Sequence, residues 1–400
     1  MPEKNEPDSG IFRFVPFLKN RKKGDILSAG NNSTIEAFVQ DQIENPGTFN
    51  SAISKEDEMY LFALRHFNGN IDRACIALLT TGKQSMDVIR QIIQWKFKGF
   101  DRLSNLLDFA SGYGRLTRFL IQEFSAQAVW VCDIYEDAVK FQREQFGVHD
   151  IVSVRNPEDF TVDKKFDCIF VASLFSHLPE KKFIGWLKRL YELLTPGGLL
   201  IFSVHDAAVL PPHLKMEKEG IVFIHESESR SLDGSDYGTT YVTESFVGAV
   251  IKEMTGKCGY YRGKRGLWWF QDIYVVPKDQ NKDLGGLDLS YGPAGYVDSC
   301  VLTNENELRF DGWAADFSKN TPLREVDIIV NGRPAHHCLP SHDRPDIAVA
   351  FDDIRGLKSG FSCSVPAHLL KPSDMVIVKA VNSRSIEHVI RIGTLESISD

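Results

Sequence analysis

The segment Asp108-Phe109-Ala110-Ser111-Gly112-Tyr113-Gly114 closes a short apolar run and opens directly onto a helical pattern. A tight strand-to-helix turn of this kind lets the backbone touch a ligand, and glycine permits the approach because it has no Cβ. Asp133 ends the next apolar run, 25 residues after Asp108. A carboxylate at that point can accept hydrogen bonds from a ribose diol. Each feature has a plainer reading taken alone: Gly112-x-Gly114 as a structural turn, Asp133 as an exposed strand-end acid. Together they read as a nucleotide-type cofactor site.

A second set of candidates follows the later apolar runs. His177 lies just past one of them, and His205 and Asp206 end another. His177 is the best placed as a general base, because an imidazole titrates near neutral pH. The alternatives are a histidine that orders the turn before Pro179, and polar strand ends at His205 and Asp206. Asp236-Tyr237-Gly238-Thr239-Thr240 reads either as a loop on the same side or as a polar turn before the helix from Glu244. His336, His337 and Cys338 are adjacent but have no matching second cluster, so no metal site is expected. The seven cysteines are scattered and odd in number, without a C-x-x-C pair, and read as reduced, packed thiols.

Positioning these residues takes an alternating α/β unit. Strands are expected at 105–110, 128–133, 150–154, 168–172 and 199–204, with helices after Gly114, over 137–146 and from Pro179 to the Pro196-Gly197-Gly198 stop. Gly259–Arg265 and Trp268–Val276 read as two strands joined by a short turn. Such alternation calls for a doubly wound, mostly parallel α/β sheet, seven-stranded here, with helices on both faces. Residues 1–50 read as a polar, partly disordered tail holding a basic run at Lys19, Arg21, Lys22 and Lys23. Residues 51–100 read as three helices broken at Asn68-Gly69-Asn70 and at Thr80-Thr81-Gly82. The α/β domain covers 101–278, and 279–295 is a polar, glycine-rich linker. From 296 to 400 the period changes to alternation, with Asn331-Gly332 as a hairpin turn, which suggests a small all-β sandwich-like domain.

Composition narrows the function classes. The chain has 400 residues, 43% of them hydrophobic, and a formal charge of -8. An acidic chain gains little from a polyphosphate backbone, so nucleic acid is not expected as a partner. No run approaches the roughly 18 apolar residues of a membrane span. The first residues do not resemble a signal peptide, so a cytoplasmic location is expected.

Leu106-Leu107-Asp108-Phe109-Ala110-Ser111-Gly112-Tyr113-Gly114-Arg115 resembles the first motif of class I S-adenosylmethionine-dependent methyltransferases. Asp133 stands where that family has its ribose-binding acid. Phe166 to Leu178 resembles its fourth-strand motif, and Leu194-Thr195-Pro196-Gly197-Gly198-Leu199-Leu200-Ile201 its helix-to-fifth-strand motif. The resemblance covers about 100–278 and implies S-adenosylmethionine as cofactor, held by Asp108, Ala110, Ser111, Gly112, Gly114, Asp133 and Ala172. Ala110 departs from the family, which has glycine there. The third-strand end, Arg155-Asn156-Pro157-Glu158-Asp159, also lacks a clear match.

Methyl transfer from a sulfonium needs alignment more than activation. A base such as His177 is required only where the acceptor keeps its proton, as a hydroxyl does. The expected reaction is transfer to oxygen on a small-molecule or glycan acceptor. Two other readings remain open. One is a non-catalytic binding scaffold, favoured by Ala110. The other is a nicotinamide-dependent oxidoreductase, disfavoured because Thr117 replaces the third glycine of the dinucleotide pattern. Gly312-Trp313-Ala314-Ala315-Asp316, Val326–Gly332, Arg344-Pro345-Asp346-Ile347-Ala348 and Ser359-Gly360-Phe361 resemble a β domain appended to bacterial glycosyltransferases and methyltransferases. That resemblance implies glycan-assembly partners. Trp313 reads as a core residue or as a sugar-stacking platform.

Overall fold

The computed structural model describes residues 26–227, 229 and 231–398. The basic run at Lys19–Lys23 lies outside them. Among the described residues, no helix is long and apolar enough to cross a membrane.

The chain opens with β1 (Ile26–Leu27), which pairs with β2 (Ile53–Ser54), and between them runs α1 (Ser33–Gln42). Residues 26–50 are therefore not the aperiodic tail that their polarity suggests. Asn32 caps α1 by accepting from the Ile35 N–H, and Ile35, Phe38 and Val39 are buried. Asp57 caps α2 (Glu58–His66) and Asn70 caps α3 (Ile71–Phe97).

The expected break at Thr80-Thr81-Gly82 does not occur, and α3 is continuous over 27 residues. Thr81 Oγ1 donates back to Ala77 O at 2.7 Å, which occupies its hydroxyl inside the helix. Gly82 is there for packing: a Cβ would lie 2.2 Å from Arg115 O and 2.7 Å from the Phe119 ring. The glycine lets α3 approach the segment just past the Gly112–Gly114 loop.

The α/β unit follows as β3 (Leu106–Phe109), α4 (Thr117–Glu123), β4 (Val129–Asp133), α5 (Glu136–Phe146), β5 (His149–Val152), β6 (Phe166–Val171), α6 (Glu180–Glu192) and β7 (Leu194–Asp206). Two short strands, β8 (Ile221–Ile224) and β9 (Thr239–Val242), precede α7 (Glu244–Thr255). The domain closes with β10 (Tyr261–Leu267) and β11 (Gln271–Pro277). The sheet runs β10-β11-β7-β6-β3-β4-β5, the expected seven strands, and β8 and β9 extend it through the end of β7. β3 to β7 are parallel, while β11 and β10 are antiparallel. The winding starts at β3, runs outward through β4 and β5, then returns to β6 on the other side of β3. This creates a switch point at the carboxyl ends of β3 and β6, where open α/β sheets bind ligands.

Alternate residues of each strand serve opposite faces. Leu106, Val131, Phe170, Ile201 and Ile273 join a cluster with α1, α3 and α4. Leu107, Phe109, Val171, Phe202 and Tyr274 join a second cluster with Phe183, Trp186, Leu187 and Leu190 of α6.

The C-terminal part contains β12 (Ala294–Leu302), β13 (Glu307–Ala315), β14 (Leu323–Val330), β15 (Arg333–Cys338), α8 (Pro345–Phe351), β16 (Gly360–Pro366), β17 (Met375–Asn382), β18 (Glu387–Thr394) and α9 (Leu395–Ile398). Its two antiparallel sheets, β12-β13-β16 and β15-β14-β17-β18, share one apolar cluster that includes Phe310, Val326, Phe361 and Val378. The β14–β15 hairpin turns at Asn331-Gly332, both left-handed at φ 48° and 74°.

Two expectations change here. Cys338 and Cys363 form a disulfide between β15 and β16, so the thiols are not all reduced. Cys75, Cys132, Cys168 and Cys300 are buried and lie outside the disulfide. The second change concerns the linker. Leu287, Leu289 and Ser290 are buried, and Gln91 of α3 donates to Ser290 O at 2.7 Å while accepting from its N–H at 2.8 Å. Ile329, Ile377, Val389 and Ile392 join the same cluster as α1 and α3. The C-terminal sheets thus have their own cluster and also share one with the N-terminal helices.

Candidate functional site

The Asp108–Gly114 loop lies at the β3 side of the switch point, and its backbone takes the sharp turn that its composition requires. Ala110, Gly112 and Gly114 all have positive φ, at 57°, 55° and 79°. At Gly112 a Cβ would meet nothing within 4 Å, so the space over that peptide is open. At Gly114 it would meet Phe146 and Gln142, so that glycine is required by α5. Ala110 carries its methyl in the left-handed region, which costs about 1–2 kcal/mol for an L-residue.

Asp133 closes the loop from the neighbouring strand. Its Oδ2 accepts from Gly112 N–H at 2.8 Å and its Oδ1 from Tyr135 N–H at 3.0 Å. Burial raises its pKa to about 6 against these backbone donors. Ser111 N–H donates to Cys132 O at 3.1 Å, which ties the loop to β4.

Asp108 is buried beneath the loop, and burial raises its pKa to about 7, opposed by the charge of Arg115. Gln142 completes the floor. Its Nε2 donates to Gly112 O at 2.7 Å and to Ser111 Oγ at 2.8 Å, and its Oε1 accepts from Thr117 Oγ1 at 2.7 Å. The sequence reading missed Gln142 although a signal was present. It shares the buried face of α5 with Ala138, Val139 and Phe146, the one polar residue in that stripe. Arg118 links this floor to the N-terminal segment, donating to Gly114 O at 3.1 Å and to Ala52 O at 2.9 Å.

The other side of the switch point holds a connected polar group past β6 and β7. Ala172 is half-buried at the end of β6, and Ser173 after it is left-handed at φ 63°. His177 is 5% exposed and its Nδ1 lies 2.7 Å from Gly238 O. A carbonyl only accepts, so in the neutral ring Nδ1 carries the proton and Nε2 the lone pair. Nε2 faces Ser173 Oγ at 3.4 Å, and the Tyr237 ring stacks on the imidazole at 4.5 Å. Gly238 N–H donates to His177 O at 2.8 Å, so the 236–240 loop grips this histidine at both ends. Asp236 is held by Lys182 at 2.7 Å and serves to anchor that loop.

Gln271 at the start of β11 joins the histidine group to its neighbours. It donates to Ser173 Oγ at 2.9 Å, accepts from Ser203 Oγ at 2.6 Å, and lies 3.3 Å from His205 Nε2. Ser203 and Gln271 carry no motif, and only the fold brings them to Ser173. His205 is pushed down to about 3 by burial and by His177, so it stays neutral. Asp206 is paired with Arg262 at 2.7 Å, and Arg262 also holds Asp272 at 2.6 Å. Asp206 is thereby committed to an ion cluster. At the third-strand end, Asn156 turns to Asp159 Oδ2 at 3.1 Å and Glu158 is exposed.

Residues 107–200 match a family model described as a methyltransferase domain. A curated relative, alpha N-terminal protein methyltransferase 1 of Dictyostelium discoideum, is 24% identical over 214 residues, covering 50% of this chain and 77% of that protein. Among solved structures, the plantazolicin methyltransferase BamL, in complex with a triazolic desmethylPZN analog and SAH, aligns at 14% identity and a TM-score of 0.37. The alignment covers 56% of this chain and 97% of that one. The N-methyltransferase NodS from Bradyrhizobium japonicum WM9, in complex with S-adenosyl-l-homocysteine, aligns at 14% identity and a TM-score of 0.33, over 49% of this chain and 85% of that one. With the four ordered motifs and the sheet order, the match over 107–200 identifies a class I, S-adenosylmethionine-dependent methyltransferase domain in this chain.

Proposed function

We propose that the protein transfers a methyl group from S-adenosylmethionine to a hydroxyl of a small-molecule or glycan acceptor. The observation that carries this reading is the Gly112–Asp133 contact over an open loop. A carboxylate held by backbone N–H groups at the end of β4 is oriented for a ribose diol, and Gly112 leaves room beside it. Asp108 and Gln142 support the loop from below. Bound there, S-adenosylmethionine supplies an already activated methyl group on its sulfonium.

The protein's remaining tasks are alignment and proton removal. His177 suits the second, because Gly238 O fixes its tautomer and leaves the Nε2 lone pair directed toward Ser173, at the carboxyl end of β6. The arrangement favours catalysis over a passive scaffold, since a scaffold has no need of an oriented base. A dinucleotide enzyme fits less well, because Thr117 stands at the third glycine of that pattern, with its hydroxyl against the buried Asp108 carboxyl.

The test is calorimetric titration with S-adenosylhomocysteine, followed by a methylation screen of hydroxyl acceptors. Micromolar to millimolar binding and label transfer that His177→Ala suppresses are expected. Tight NADH binding with no response to S-adenosylhomocysteine would overturn the reading.

A further inference from the structure

The β10–β11 hairpin turns through Trp268-Trp269-Phe270, since Leu267 pairs with Gln271. Trp268 and Trp269 are left-handed at φ 56° and 63°, a conformation that bulky residues adopt only when their surroundings hold them there. The clamp is visible. Trp268 Nε1–H donates to Thr81 O at 2.9 Å, and the Arg115 guanidinium lies 4.1 Å over its ring. The strained turn sets Phe270 facing outward, one residue from the Gln271 amide that joins Ser173 to His205, with Trp269 half-buried beside it against the His388 ring.

These two side chains form one wall of a groove of about 480 Å³, whose other wall is Tyr296 of β12, Trp313 of β13 and Phe351 of α8. This volume suits a small organic ligand. Phe270 is 48% exposed and Tyr296 47% exposed, so large aromatic faces are left in water. The groove has two distinct ends. At the inner end the Phe270 ring lies 6.0 Å from the His205 ring, beside the candidate base. At the outer end Trp269 and Phe351 also line a small cavity with Lys264 and Arg265. Arg265 lies 5.3 Å over the Phe351 ring, and Lys264 is exposed. The nearby Asp353 is paired with Arg355 and also attracts Arg265, which donates to Ala350 O at 3.2 Å, so Lys264 is the exposed cation of this corner.

We infer that this groove binds the methyl acceptor, and that the acceptor is a flat ring carrying a phosphate. Aromatic faces stack on any flat ring, and a lysine beside an arginine complements a phosphate. Phe270 orients the near end of the ligand toward His177, so the C-terminal sheets supply half of the acceptor site. This inference rests on the methyltransferase reading above.

The test uses the four ribonucleoside 5′-monophosphates as probes, titrated against the full chain by tryptophan quenching with S-adenosylhomocysteine saturating. Their parent nucleosides and ribose 5-phosphate are the controls. At least one monophosphate is expected to bind about tenfold tighter than both its nucleoside and ribose 5-phosphate, with Tyr296→Ala and Lys264→Gln each weakening it by a similar factor. Both substitutions are at exposed positions, so the fold should persist. Nucleosides that match their monophosphates, or variants that bind like wild type, would overturn the inference. Absence of S-adenosylhomocysteine binding would instead overturn the reading on which it rests.

Discussion

Thr117 Oγ1 lies 3.0 Å from Asp108 Oδ2 and 2.7 Å from Gln142 Oε1, and a hydroxyl has one proton to give. Gln142 uses its Nε2 on Ser111 and Gly112, so its Oε1 must accept, and the Thr117 proton goes there. Asp108 then donates its own proton to Thr117. The neutral acid agrees with a pKa raised to about 7 by burial. The floor of the Asp108–Gly114 loop is therefore a directed chain from Asp108 through Thr117 and Gln142 to Gly112.

This gives a pH prediction with a definite sign. A carboxyl whose pKa rises on folding stabilises the fold at low pH and loses that contribution as pH climbs through the folded value. Asp108→Asn keeps the neutral shape without titrating. Its stability relative to wild type should rise from about pH 4 to pH 7 and then level off, as read by urea unfolding across that range. A difference that stays flat with pH would mean that Asp108 ionises normally.

Asp133 should matter to the cofactor more than to the fold. Asp133→Ala removes the acceptor for the ribose hydroxyls and leaves the Gly112 N–H without its carboxylate partner. S-adenosylhomocysteine affinity should fall by about 1.5–3 kcal/mol, the usual range for hydrogen bonds to a charged group. Calorimetry on both proteins checks this, and equal affinities would place the ribose elsewhere.

His177 should act on turnover. With an acceptor in hand, His177→Ala should lower kcat by about 100- to 10,000-fold while S-adenosylhomocysteine Kd stays within about twofold. A fall in affinity with kcat unchanged would give His177 a structural role, holding the 236–240 loop through Gly238.

Much of this arrangement is legible in the sequence, for a physical reason. Asp108, Gly112, Gly114 and Asp133 are placed by short-range rules, because a turn that needs positive φ and a strand that needs alternation leave marks within a few residues. Ser173, Ser203 and Gln271 are assembled from three separate segments, and no local pattern announces such a meeting; Gln142 left one mark, as the single polar residue of the buried α5 stripe. Gly82 misled for a related reason. Its absence of a side chain is a requirement of Arg115 and Phe119, more than thirty residues away, not of the helix that contains it. The polar linker misled likewise, because Leu287 and Leu289 bury their side chains in a segment whose average composition is hydrophilic.

Ala110 offers a narrower test. Its left-handed φ of 57° strains an alanine and not a glycine. Ala110→Gly should relieve about 1–2 kcal/mol of strain and lose about 0.5–1 kcal/mol to the looser unfolded chain. The variant should melt at or slightly above the wild-type temperature and still bind S-adenosylhomocysteine. A clear drop in melting temperature would show that the methyl group, packed beside the cluster around Phe109, contributes more than its backbone costs.

The C-terminal sheets should not be separable from the remainder. β18 packs on α1 and α3, and Val389 and Ile392 sit in the same apolar cluster as Phe38 and Ile89. Polar contacts reinforce the seam: Lys379 meets Asp41 at 3.4 Å, and the buried His388 ring lies 3.2 Å from the Gln84 amide. Ile392→Ala removes apolar bulk from this junction without touching the cofactor loop, and it should cost about 2–5 kcal/mol. If the two parts share a core, that loss appears as one cooperative transition at lower denaturant, seen alike by the helical signal at far ultraviolet and by tryptophan fluorescence. A chain ending at Lys278 should then expose the α1 and α3 faces and aggregate. Two separate transitions in Ile392→Ala, with only the later one shifted, would instead assign the C-terminal sheets an independent core and make the junction a docking surface.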